Sequence, residues 1–148
     1  MTRPYKPKDI PGLLPYIIVK DIDNALTFYQ QAFQFKLGSE PMRQGDKIMH
    51  AELKILDTQI MLAPEGAWGS VKQSPASSNT PSPIGLYVYV EDVVKFFEHA
   101  KAQGAEVINA PEIAFWGDKT CCLRDSEGYD WTFATNVADF DPSKLPSA

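Results

Sequence analysis

Two kinds of apolar spacing alternate along this chain. Ile17, Ile18 and Val19 form a short β-branched run, which predicts a buried strand. Behind it, Ala25, Leu26, Phe28, Tyr29, Ala32 and Phe33 recur at helical spacing and predict an amphipathic helix. Asp21 or Asp23 can cap that helix, because a short carboxylate accepts the free amide hydrogens of a first turn. The sequence of patterns then returns. Residues 84–90 form a second apolar strand, Glu91-Asp92 a second acidic turn, and Val93, Val94, Phe96, Phe97 and Ala100 a second helical stripe. Tyr16, Val19 and Asp21 match Tyr87, Val90 and Asp92 at one offset of about 71 residues, the mark of an internal repeat. The chain reads as two copies of one module.

Between the helices the spacing changes to two. In KIMHAELKIL, Met49, Ala51, Leu53 and Ile55 alternate with His50, Glu52 and Lys54, which predicts a half-buried strand. Residues 37–42 are a short strand candidate before it, and Gln59 to Ala63 follow it after a turn at Asp57-Thr58. In the second module Gly104 ends the helix, residues 106–108 begin a strand, and 111–116 are its interrupted second half. Gly117-Asp118 turns the chain into a hairpin of 119–124 and 130–135 across Asp125-Ser-Glu-Gly128. Each module is strand, helix, then three strands, with its helix over the apolar face of its sheet. Module one spans 13–65 and module two 84–135. The proline- and serine-rich stretch 64–83 reads as a long irregular loop, a linker or a lid. Residues 1–12, with three prolines, predict an extended arm, and 136–148 a loosely ordered tail.

Composition narrows the function. A net charge of −5 without a basic cluster argues against nucleic acid or an anionic membrane as partner. No apolar run approaches the roughly 20 residues of a membrane helix. The N-terminal stretch lacks the apolar core of a signal peptide. The two cysteines, Cys121 and Cys122, are adjacent and point to opposite faces of a strand, so two reduced thiols in a cytoplasmic protein are expected.

The segments LPYIIVKDIDNALTFYQQAF, KIMHAEL, GLYVYVEDV and FWGDKTCCLRDSEGYDW carry a family resemblance across about residues 13–135. The chain resembles the vicinal oxygen chelate superfamily of glyoxalase I, bleomycin-resistance proteins and extradiol dioxygenases, and within it the PhnB-like branch. The most specific part is the aromatic-Trp-Gly-Asp-basic run followed by Arg-Asp-x-x-Gly-x-x-Trp; where many relatives have proline, this chain has Ser126. The resemblance implies an α+β fold: two βαβββ modules in a curled mixed sheet, a cup with helices on its convex face. It also implies a homodimer. Related proteins are often labelled methyltransferases, but no glycine-rich βα turn for a methyl donor occurs here.

In metal-dependent relatives, four cup-facing strand positions supply the ligands. They match Leu14, Met61, Gly85 and Thr132, none of which suits a hard cation, so no metal or other cofactor is expected there. A divalent metal is the alternative. Strand alternation assigns Tyr16, His50, Glu52, Gln59, Met61, Ala63, Tyr87, Tyr89, Thr120, Cys122, Arg124, Asp130, Thr132 and Ala134 to the cup, with Trp116 at its rim; Trp131 falls on the helix side. Aromatic surface with a few polar handles is the make-up of a small-molecule pocket. Tyr16, Met61, Tyr87, Tyr89, Trp116, Cys122, Arg124 and Thr132 are the candidate ligand-binding residues. His50 and Glu52 are either a solvated strand face or a general acid–base pair. Arg124 either clamps a carboxylate or pairs structurally with an aspartate, and Cys122 has no activator in sequence. Three functions follow: a module that binds a small organic ligand; a metal-independent or divalent-metal lyase, isomerase or dioxygenase using His50 and Glu52; or a fold with no small-molecule role that acts through its dimer surface.

Overall fold

Each β-branched run forms a strand, and the aspartate behind it caps a helix, in the computed structural model, which describes residues 2–148. Strand β1 (Tyr16–Val19) leads into helix α1 (Ile22–Ala32), where the Asp21 carboxylate accepts the Asn24 amide at 3.0 Å. Asp21, rather than Asp23, is the cap. Strands β2 (Lys36–Leu37), β3 (Met42–Gln44), β4 (Lys47–Ile55) and β5 (Thr58–Pro64) complete module one. One turn of helix, α2 (Pro75–Ser78), lies in the connection. Module two is β6 (Leu86–Tyr89), α3 (Val93–Ala102), β7 (Glu106–Ile113), β8 (Asp118–Arg124) and β9 (Asp130–Asn136). Asp92 caps α3, and Gly104, at φ +99°, follows its C-cap where a side chain would be strained.

The two sheets run β1-β5-β4-β2 and β6-β9-β8-β7, each with its first strand parallel to its last. Tyr16 pairs with Met61 and Tyr87 with Thr132, so the repeat offset carries through to strand register. The fold is α+β, two mixed sheets with few helices.

Local details differ from the sequence reading. The strand expected over 37–42 is broken, with β2 ending at Leu37 and β3 starting at Met42. The second half of β7 is not interrupted: the strand continues through Pro111 to Ile113 with two register shifts, which an exposed edge strand accommodates. Stretch 64–83 holds a 3-10 turn at Ala67–Gly69 as well as α2, whose Ser74 side chain accepts the Ser77 amide. Ser74 is fully buried, and Glu65 accepts its amide at 2.9 Å. Beyond β9, the Val137 and Ala138 amides donate to the Gly117 carbonyl. A Cβ at Gly117 would collide with the Ala138 carbonyl, and its φ is +102°.

One core serves both modules. Ile17, Val19, Leu53, Ile60 and Leu62 from sheet one join Cys121, Leu123, Trp131 and Phe133 from sheet two, with both helices in the same cluster. The Phe33 ring of α1 lies 4.9 Å from that of Phe133 and 5.7 Å from that of Trp131, both on β9. Helix α1 therefore covers the other module's sheet as well as its own. The turn before β9 clasps module one: the Tyr129 hydroxyl donates to the Ile18 carbonyl, and Glu127 accepts the Lys20 and Asp21 amides. These contacts cap the free edge of β1. Among the described residues no helix is long and apolar enough to cross a membrane.

Candidate functional site

Because inward strand positions meet in the shared core, the outward positions turn away from it, and they form two separate faces in one chain. Tyr16, His50, Glu52 and Met61 belong to the module-one face; Tyr87, Tyr89, Trp116, Cys122, Arg124 and Thr132 belong to module two.

The module-two face is organised by a residue that the sequence reading left in a turn. Asp118 begins β8 on the register of Thr120 and Cys122, and it is only 2% exposed. Its Oδ2 accepts the hydroxyls of Tyr87 at 2.7 Å and Tyr89 at 2.8 Å and the Trp116 indole N–H at 3.1 Å. Asn136 donates to Oδ1 at 2.9 Å. Asp118 makes no salt bridge among the described residues. Burial works to raise its pKa, but the donors from Asn136, Tyr87, Tyr89 and Trp116 outweigh it and hold the carboxyl below its ordinary value. Burial, then donation to Asp118, pushes Tyr87 up to about 12. Donation to Asp118 is the chief cause of the upward shift at Tyr89. One anion thus tethers three aromatic side chains that remain 45% (Tyr87), 55% (Tyr89) and 41% (Trp116) exposed. Phe115 packs edgewise on Trp116, and Phe140 from the tail lies beyond it. Extending the β8 alternation by one residue would have found Asp118.

Thr132 and Cys122 are cross-strand partners beside this platform. Burial raises the Cys122 thiol pKa and takes Cys121 to about 11, so neither is an activated nucleophile. Arg124 directs its fork at Asp130, with Nε to Oδ1 at 2.8 Å and Nη2 to Oδ2 at 3.2 Å, and Glu106 stands 3.7 Å away. Two of its N–H groups are thus held by Asp130, and the side chain stays partly exposed.

On the module-one face His50 joins two neighbours. Its Nδ1 is 3.0 Å from the Tyr16 hydroxyl and its Nε2 is 3.4 Å from Glu52 Oε1. Glu52 Oε2 accepts from Gln59 at 2.9 Å and from Ser39 at 3.3 Å. With its proton on Nε2, His50 donates to Glu52 and accepts from Tyr16, a chain that ends at a half-exposed phenol. Met61 sits beside Glu52 in the register.

The four positions that the resemblance matches to metal ligands are Leu14, Met61, Gly85 and Thr132. Leu14 and Gly85 line an apolar cavity of about 720 Å³ between the starts of β1 and β6, while Met61 and Thr132 lie on their separate faces. Among the described residues no group of three His, Cys, Asp or Glu side chains gathers to hold an ion. A further crevice of about 470 Å³ lies between the modules, lined by Phe33, Phe35, Val88, Val90, Lys95 and His99. There the His99 Nε2 lies 2.7 Å from the Gln31 carbonyl of α1.

A family model described as the Glyoxalase/Bleomycin resistance protein/Dioxygenase superfamily matches residues 13–133. An uncharacterised protein of Mycobacterium bovis is 31% identical over 142 residues, 93% of this chain and 91% of its own length. Among solved structures, TioX from Micromonospora sp. ML1 matches with a TM-score of 0.68 at 24% identity, over 85% of this chain and 100% of its own. FosX, a fosfomycin resistance protein from Listeria monocytogenes, was solved with manganese(II) and 1S,2S-dihydroxypropylphosphonic acid. It gives a TM-score of 0.62 at 17% identity, over 84% of this chain and 90% of its own. At these identities the solved structures speak to the fold alone.

Proposed function

This chain belongs to the glyoxalase/bleomycin resistance protein/dioxygenase superfamily, and from that premise we propose that it is a PhnB-like protein that binds a small organic ligand without the superfamily's metal. The observation that carries the reading is the Asp118 tether, which holds Tyr87, Tyr89 and Trp116 as a fixed, half-exposed aromatic wall. Fixed aromatic surface binds planar or apolar ligands at low entropic cost, because the side chains are already ordered. The donor-poor positions Leu14, Met61, Gly85 and Thr132 support the metal-free reading.

The protein acts as a homodimer in this proposal. One wall does not enclose a ligand, and the chain's own second face turns away. A second copy can set its module-one face opposite the module-two face and complete a cup. Sedimentation velocity should then return twice the 16.5 kDa chain mass; a monomer at all concentrations contradicts this part of the proposal.

Ligand-observed NMR with indole, quinoline and coumarin tests the binding role. Wild type should bind members of this set, and Asp118→Ala should weaken binding about tenfold, since loss of the common acceptor frees three aromatic side chains. Undiminished binding by the variant would sink the reading.

A second reading is favoured by the Tyr16–His50–Glu52 chain: an acid–base lyase or isomerase in which Tyr16 meets the substrate and His50 relays its proton. His50→Ala separates the two. A binding module has no turnover to lose, whatever His50 contributes to the cup, whereas the enzyme loses turnover.

A further inference from the structure

We propose that the aromatic platform of module two selects an organic cation, an ammonium carried on a planar or apolar body. The proposal rests on the reading of this face as the ligand site, and it names the chemistry the site takes. The donors of this face are spent within it. Both tyrosine hydroxyl protons and the Trp116 N–H are directed at Asp118, and Trp116 also donates to the Tyr87 oxygen at 3.1 Å. What remains for a ligand is electron-rich: ring faces and phenolic lone pairs. The Tyr87 and Tyr89 rings stand 5.5 Å apart at 60°, a geometry that presents two faces to one guest. Cations sit over such faces by attraction to the ring quadrupole.

Charge on the surrounding strands points the same way. On the outward register of β7, β8 and β9 lie four carboxylates, Glu106, Glu112, Asp118 and Asp130. The one guanidinium there, Arg124, is engaged by Asp130 and Glu106. The Lys144 amine, beside Phe115, is paired with Asp141 at 3.9 Å. An incoming cation meets π faces with a buried anion beneath them, where the field is less screened than in open water. Deprotonation of the phenols does not intervene near neutral pH, as both are shifted upward.

The test uses three probes of one size on the wild-type protein at pH 7: benzyltrimethylammonium, benzyl alcohol and benzenesulfonate. Each is titrated while the indole N–H resonance of Trp116, assigned with Trp116→Phe, is followed. The cation should shift this resonance and bind at least about tenfold more tightly than the sulfonate. Asp118→Asn should narrow that gap. If this variant does not fold, the charge series on wild type decides alone. Equal affinities, or a tighter sulfonate, overturn the cation proposal while leaving the face a ligand site. No shift from any probe overturns both.

Discussion

Asp125→Ala should cost this protein about 4 kcal/mol, a large part of the roughly 5–15 kcal/mol that holds a typical domain folded. Asp125 is 6% exposed and gathers four donors: the Tyr29 hydroxyl, the Trp131 indole N–H, and the amides of Glu127 and Tyr129. Tyr29 lies on α1 and Trp131 on β9, so one carboxylate ties the helix of the first module to the sheet of the second. Burial raises its pKa against the pull of those donors. Alanine would remove the acceptor and leave buried donors without partners, a deficit alanine's small size cannot relieve. Urea unfolding followed by circular dichroism measures the loss. A change under 1 kcal/mol would mean that the turn is not a clasp between modules.

Phe33→Ala is expected to cost about 3–5 kcal/mol, the usual range for truncating a buried aromatic. Phe33 contacts Phe28 on its own helix, Phe35, Phe96 on α3, and Trp131 and Phe133 on β9. The form of the transition matters as much as its midpoint. A core shared by both modules should melt once, with far-ultraviolet dichroism and tryptophan fluorescence changing together. Two transitions would show that the modules have separate cores.

The repeat was legible because each copy carries the full local code: β-branched strand, aspartate cap, helical stripe. Alternation likewise placed Leu53 and Trp131 on the inward side, and both are buried; Gln59, Ala63 and Ala134, which it assigned to the cup, are buried as well. It could not say what covers the inward face. That the modules pack through their helices, separating Tyr16 from Tyr87, depends on contacts between residues about 100 apart in sequence, such as Phe33 with Phe133. Aspartate after glycine suits a turn, so sequence alone does not single out Asp118. Only the converging Tyr87, Tyr89 and Trp116 donors reveal its other role. Asp125 and Glu127 were hidden in the same way: a turn composition is normally solvated, and here the turn docks on β1 and α1. Ser74-Pro75 was legible in principle as a cap followed by a first-turn proline, although the surrounding composition suggested only loop.

Where a ligand binds is the most direct test of the aromatic platform. Indole, titrated into uniformly ¹⁵N-labelled protein, should perturb the Trp116 indole N–H and the amides of Tyr87, Tyr89, Cys122 and Thr132. Perturbations centred instead on the crevice at Phe35, Val88, Lys95 and His99, with Trp116 unmoved, would contradict it.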